Sequence, residues 1–579
     1  MKKQILAFLS HKNFHYLLIF LVSCVVAIPL IPLQLTNTHD GILHILRLIG
    51  TELSLHYTDF PHLVIPLFCN NFGYSINAFY SPIATYLPYL FTNLPILYAE
   101  ALKIFAYFTI LLSGVTMYHC VLEITKKRPI ALIASILYMV APYRLADMYI
   151  RFALAEFTAF IFIPIVFQGI YNLLQGNQKK HFYITIGAAG LILTHAITAF
   201  YFAFFCLLYV LFHWKKLIQK EVLKKIGWNI LFILGISAFH WIILLEYQSF
   251  LHYGIFDAKV MGTNSEFVAQ NTKSILEFFI PNGKLFNFYI GTFAILGLLA
   301  SLFFLPRMIK RKEKEPLIFL ILAIFSLFLC SCSILWKLLP DALCKIQYPW
   351  RMLGEFIFFS SFVIAVNLGW IWEKVKDKKW QKILWIIIAL AIFVMEVTMN
   401  LIQHWKNQKE TEKSDLSYEI VMLNNLDFPI SYINREYLPF QAIINRDQIL
   451  EREDKVLVIE GEVNITSQEK EMTNLTAKIE NGKKDTKLEL PYFYYPGYVV
   501  TLITEEGTIE LKQEESELGM ICVTLPEDIA EGEIQLSYQG TTLEKIAYLI
   551  SAISFILFLC MIIWQAKKEE KGKEDKEKV

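Results

Sequence analysis

The chain has 579 residues, of which 55% are hydrophobic, 15% aromatic and only 18% charged. That balance excludes an ordinary soluble domain and fits a polytopic membrane protein. A formal charge of +1 gives no argument for a nucleic-acid partner, and the 9 cysteines, scattered mostly through apolar runs without a CxxC or Cys/His cluster, give none for a disulfide framework or structural zinc.

A spanning helix needs roughly 20 apolar residues. The first run, "FHYLLIFLVSCVVAIPLIPL" from Phe14, meets that length, follows Lys2, Lys3 and Lys12, and lacks a small-residue cleavage site. It reads as a retained span with a cytoplasmic N-terminus. Further apolar runs lie near 101–122, 130–145, 157–175, 182–195, 196–214, 228–249, 287–309, 316–334, 353–372, 381–402 and 545–565, which makes about 12 spans. The basic clusters at Lys126, Gly176, Lys215, Lys310, Glu373 and the tail from Lys567 then fall on one side, as the positive-inside rule requires. The least regular place is 182–214, where two short spans must turn at "LTHA".

The opposite, extracytoplasmic side receives a first loop at 34–95, the segments 141–156, 250–285 and 336–351, and a long stretch at 403–544. In that stretch patterns such as "KVLVIEGEVNI" and "GEIQLSYQG" alternate between turn residues, which predicts a mostly β, sandwich-like domain. The fold class is therefore a polytopic α-helical domain over 1–402, a β domain at 403–544, a last span at 545–565 and a charged, disordered cytoplasmic tail at 566–579. No GxGxxG, Walker or HExxH motif is present, so soluble-nucleotide chemistry has no support.

Three polar groups interrupt this apolar chain. Asp40, His44 and Arg47 stand at i, i+4 and i+7 beside an apolar stripe of Ile42, Ile45, Leu46 and Ile49, the pattern of an amphipathic helix on the outer surface. Asp40 would then be an N-cap with His44 and Arg47 solvated, or a functional carboxylate. In "APYRLADMYIRFALAEF", Arg144, Asp147 and Arg151 recur at i, i+3 and i+7, with Glu156 beyond. Charges at membrane depth need pairing, a wet cavity or a ligand, and an Asp147–Arg151 salt bridge satisfies the first. Arg351 in "QYPWRML" can snorkel to headgroups or fork onto a phosphate, and His195 in "LTHA" packs or binds at the same edge.

Together with "HDGILHILR", "FGYSINAFYSPIATYLPYLF" and "LPYFYYPGYVV", these segments resemble a bacterial family labelled 6-pyruvoyl-tetrahydropterin-synthase-related membrane proteins, similar to YfhO-type proteins. Both resemble the GT-C glycosyltransferase superfamily. The resemblance implies a polyprenyl-phosphate-linked sugar as donor, a cell-surface polymer or glycolipid as acceptor, and Asp40 as the first-loop catalytic acid. It marks His39, His44, Arg144, Asp147, Arg151, Glu156, His195 and Arg351 as substrate-binding candidates. Glu52 and Asp59 are the only other acids of this loop before Tyr80, and a divalent metal is left open. The expected reaction is an inverting transfer at the outer face of the plasma membrane, with Asp40 as general base and Arg351 with Arg144 or Arg151 on the leaving phosphate. A carrier or scaffold for lipid-linked polymer would use the same arginines but has no need of a base.

Overall fold

The computed structural model describes residues 12–57, 63–281, 287–310, 314–375, parts of 380–401, 415–425 and 435–577. Asp59 and much of the expected span at 381–402 lie outside the described residues.

Among the described residues seven helices are long and apolar enough to cross a membrane, and two bent pairs, Arg128–Val140 with Pro142–Arg151 and Lys220–Ile236 with Ala238–Phe250, raise the number to nine. The expectation of about 12 also includes the run at 381–402, much of which lies outside the described residues, and shorter apolar helices. Tyr183–Thr194 and Ala196–Phe212 meet at His195, whose extended backbone (φ −152°, ψ 96°) interrupts the helix, and neither half alone reaches the length of a span.

Small and hydroxylated residues bring the spans together, since lipid offers no hydrophobic drive for helix association. A Cβ on Gly114 would lie 2.4 Å from the Met139 sulfur, and the Gly114 carbonyl accepts from Ser135 Oγ at 2.7 Å. On another pair, Asn367 Nδ2 donates to the Gly297 carbonyl and to Ser301 Oγ at 3.2 and 2.7 Å. Helix Asp415–Asn425 is tied back onto the spans by its acids. Glu419 accepts the first N–H groups of helix Tyr98–Thr125, Tyr98 at 3.1 Å and Ala99 at 2.8 Å, while Asp415 accepts those of Leu35 and Thr36.

The β region runs from Leu457 to Tyr538 as two antiparallel sheets. With β1 Leu457–Glu460, β2 Asn464–Glu471, β3 Asn474–Gly482, β4 Lys487–Phe493, β5 Tyr498–Thr504, β6 Gly507–Glu510, β7 Gln513–Glu515, β8 Met520–Thr524 and β9 Ile529–Tyr538, the orders are β1-β4-β8-β7 and β2-β3-β9-β5-β6. Period-two burial is plain in β3, where Leu475, Ala477 and Ile479 point inward. The aromatic run that ends β4 is buried at Tyr492, Phe493, Tyr495 and Tyr498, and the Phe493 N–H donates to the Phe72 carbonyl at 2.9 Å. Phe493 also packs edge-on against Phe72, which joins the β region to the first loop. The last helix is Thr542–Glu577, so the charged end expected to be disordered continues it, as its Lys and Glu content, favourable to helix, permits.

Candidate active site

The segment "APYRLADMYIRFALAE" folds as helix Pro142–Ala146, a π-helical turn Asp147–Arg151, a left-handed break at Phe152 (φ 50°, ψ 44°) and helix Leu154–Ala159. In the wider turn the N–H of Phe152 reaches the Asp147 carbonyl, five residues back. A non-glycine residue held left-handed costs roughly 1–2 kcal/mol. The break returns Glu156 to the side of Asp147. Arg151 Nη1 then lies 2.5 Å from Asp147 Oδ1 and 2.8 Å from Glu156 Oε2. Tyr143 donates to Glu156 Oε1 at 2.5 Å, and Arg351 Nε approaches Glu156 Oε2 at 3.4 Å.

Arg351 is set by the turn before its helix, where Nη1 donates at 3.0 Å to both the Ile346 carbonyl and Gln347 Oε1. Trp350 lies under the Arg151 guanidinium (5.0 Å) and Tyr348 under that of Arg351 (5.5 Å). Asp147, Arg151 and Glu156 are all buried, so the spacing-based salt bridge is one edge of a four-member ionic group. Among the described residues buried Asp147 Oδ2 has no hydrogen-bond partner.

The first loop reaches this group through its backbone. The N–H of His39 donates to the Ile150 carbonyl (3.0 Å) and that of Asp40 to the Arg151 carbonyl (2.9 Å). Asp40 precedes helix Gly41–Tyr57 and its carbonyl accepts from His44 N–H, so it stands at the N-cap position. Among the described residues its carboxylate nevertheless takes no hydrogen bond from the helix. The Gly41 N–H goes to Thr38 Oγ1 at 3.0 Å, and that hydroxyl donates to the Leu35 carbonyl. Partial burial raises the Asp40 carboxyl above its ordinary range, with Glu156 adding to the rise, while Arg151, Arg351 and His39 pull it down. The His39 side chain is exposed.

The remaining candidates separate. His44 and Arg47 are each only 2% exposed, not solvated, because the 63–89 stretch folds over the stripe expected to face water. His44 lies between Tyr80 and Phe152, and burial, then Arg47, hold its imidazole well below the usual histidine range. Arg47 stacks on Tyr80 at 3.9 Å and donates to the Ala84 carbonyl. Arg144 donates to Ser113 Oγ (2.5 Å) and the Thr109 carbonyl (3.1 Å) of helix Tyr98–Thr125. It serves helix packing, which leaves Arg151 as the companion of Arg351. His195 is half-buried within electrostatic range of Glu156, Arg351 and Arg151, with Nδ1 on Thr198 Oγ1 at 2.7 Å.

Sequence reasoning missed Tyr143, Trp350 and above all Glu436. Glu436 lies in the short turn Arg435–Tyr437, within range of the charges of Asp40 and Arg351. Nothing in "INREYLPF" marks it, because the run has neither helical nor strand periodicity and sits nearly 400 residues from Asp40. Among the described residues no three His, Cys, Asp or Glu side chains are grouped to hold a metal ion.

No family model matches the chain. A protein of Lactococcus lactis subsp. cremoris (strain MG1363), described as uncharacterized, is 24% identical over 558 residues, 89% of either chain. Among solved structures, archaeal oligosaccharyltransferase AglB from Archaeoglobus fulgidus, in complex with an inhibitory peptide and a dolichol-phosphate, aligns with a TM-score of 0.47 and 15% identity over 74% of this chain and 61% of that one. An Archaeoglobus fulgidus oligosaccharyltransferase complex with Zn and sulfate aligns with a TM-score of 0.41 and 16% identity, over 66% and 53%. The chain thus spans only some three fifths and one half of those two chains.

Proposed function

We propose that this chain is a GT-C-type membrane glycosyltransferase that moves a sugar from a polyprenyl-phosphate donor to a cell-surface acceptor. The observation that carries the reading is the state of Asp40. It is a half-buried carboxylate at a helix start that takes none of the helix N–H groups and lies in the field of Arg151 and Arg351. With the function goes the architecture expected from the sequence: about 12 spans, a β-sandwich outside the membrane, and both termini on the basic side.

In this reading an acceptor hydroxyl gives its proton to Asp40 as its oxygen attacks the anomeric carbon, and the sugar–phosphate bond breaks on the opposite face with inversion. The electron pair stays on the lipid phosphate. Arg151 and Arg351 stabilise it. Each engages the protein carboxylates through one edge, Arg151 through Nη1 and Arg351 through Nε, and among the described residues no hydrogen bond occupies Nη2 of either. Asp147 and Glu156 balance the two guanidinium charges, so the site holds the arginines in place before a phosphate arrives.

The test is transfer in proteoliposomes from a panel of radiolabelled polyprenyl-phosphate sugars, comparing the natural chain with Asp40→Asn at matched folded protein. A general base contributes about 10²–10⁴-fold, so the variant should lose at least about a hundredfold. Equal turnover would return Asp40 to a capping role, since Asn caps a helix about as well as Asp. No turnover with any donor would favour a carrier.

A further inference from the structure

On the basic side of the chain a groove of about 1180 Å³ opens between two spans. Ile130, Ile133 and Leu137 share one face of helix Arg128–Val140 and form one wall, while Leu368, Ile371 and Trp372 of helix Leu353–Val375 form the other. Lys126, Lys127 and Arg128 line its mouth together with Glu373, all four exposed. Trp372, 42% exposed beside them, is the residue type that settles at a membrane–water interface.

The charges at this mouth do not cancel. Glu373 holds Lys127 at 3.0 Å and Arg307 at 3.2 Å, and Glu123 holds Lys126 at 2.6 Å and Lys180 at 3.2 Å. Each carboxylate is shared by two cations, and Arg128 adds another positive charge. The helix that starts here adds to the imbalance, because it has no acidic residue in its first turn and Lys127 gives it no side-chain cap. A helix N-terminus carries partial positive charge, so an anion at the mouth would offset both the dipole and the basic side chains.

We propose that this groove binds one anionic phospholipid, with acyl chain between the two helices and phosphate among Lys126, Lys127 and Arg128. Charge selects an anion and the apolar walls select a lipid. Depth selects a phospholipid of one leaflet: the helix rises roughly 14 Å from Arg128 to Leu137, about half of a ~30 Å hydrocarbon core. The mouth and the Asp40 site lie at opposite ends of the same spans. Arg128 opens the bent pair that ends at Arg151, and Arg351 and Glu373 are roughly 30 Å apart along Pro349–Val375. A phosphate held by Arg151 and Arg351 is thus a different group from the one bound here, and the groove stands or falls apart from the transferase reading.

The experiment is photo-cross-linking of the full-length protein in phosphatidylcholine nanodiscs doped with a trace of phosphatidylglycerol that carries a diazirine on an acyl chain, with adducts mapped by peptide mass spectrometry. Adducts should concentrate on Ile133, Leu137, Leu368 and Trp372. Raising unlabelled phosphatidylglycerol should displace them, inorganic phosphate should not, and a phosphatidylcholine probe should show no such concentration. Basic residues at a membrane edge also follow from orientation alone, so helix Lys220–Ile236, which begins with Lys220, Lys224 and Lys225, is the control for charge without this groove. Lys126→Gln with Arg128→Gln should lower the groove adducts by more than about tenfold, at roughly fivefold per cation, and leave labelling elsewhere unchanged. Ile133→Trp, which fills the groove and keeps every charge, should lose them too. Equal labelling of helix Lys220–Ile236, equal labelling by the phosphatidylcholine probe, displacement by inorganic phosphate, or groove adducts that persist in the charge variant overturns the proposal. The comparisons on the natural chain decide it even where a variant fails to fold.

Discussion

The backbone N–H of Asp40 donates to the carbonyl of Arg151 at 2.9 Å, which ties a residue just past the first span to one at the end of a bent helix more than 100 positions later. Because the bond joins main chains, it fixes the separation of the two side chains without using either. Among the described residues the carboxylate of Asp40 takes no N–H of the helix that follows it, and no hydrogen bond occupies Nη2 of Arg151.

A base must be ionised to act. Burial raises the Asp40 carboxyl above the ordinary 3.8. The fraction ionised therefore falls as pH drops through that raised value, and the acid limb of kcat/KM should lie above the midpoint of a free aspartate. A pH–rate profile of the natural chain checks this, and a limb at or below the free-aspartate value counts against Asp40 as base.

Arg151→Gln leaves Asp147 and Glu156 without their shared cation in a buried setting. Breaking such a pair from one side destabilises by about 3–5 kcal/mol. Thermal unfolding in detergent should show a large fall in Tm, and Arg151→Gln combined with Asp147→Asn should recover part of it by removing the charge stranded on Asp147, since Glu156 keeps Arg351.

Glu419→Ala removes the carboxylate that caps helix Tyr98–Thr125, with an expected loss of about 0.5–2 kcal/mol. Among the described residues the hydrogen bonds of the Glu419 carboxylate go only to that helix start. Stability should fall while transfer per folded molecule stays constant; a matched drop in both would instead make helix Asp415–Asn425 part of the site.

His44 stays neutral when folded, whereas the unfolded chain takes up a proton below about 6.5. The unfolded state then binds more protons, so stability falls as pH drops below that value. In His44→Phe, which keeps a ring between Tyr80 and Phe152, the difference in Tm from the natural chain should move in favour of the variant as pH is lowered from about 7.5 to 5. A pH-independent difference would show that His44 does not titrate on unfolding.

By itself the sequence determined the membrane character and picked out the candidate site segments, because apolar run length and stranded charges are local properties. The runs around Asp40, Asp147 and Arg351 stood out since charge inside apolar sequence needs a reason wherever it lies. The Asp147–Arg151 bridge was legible for the same cause, both residues sharing one turn. Tertiary structure decided what covers what. Spacing showed a polar stripe at His44 and Arg47 but not the chain folded over it, and it gave Arg144 and Arg151 equal standing although only Arg151 holds Glu156. Glu436 belonged to no pattern. The place of its turn depends on ring stacking, three carbonyl hydrogen bonds and a β-bridge between segments far apart in the chain, and contacts of that kind leave no periodic trace in the residues that make them.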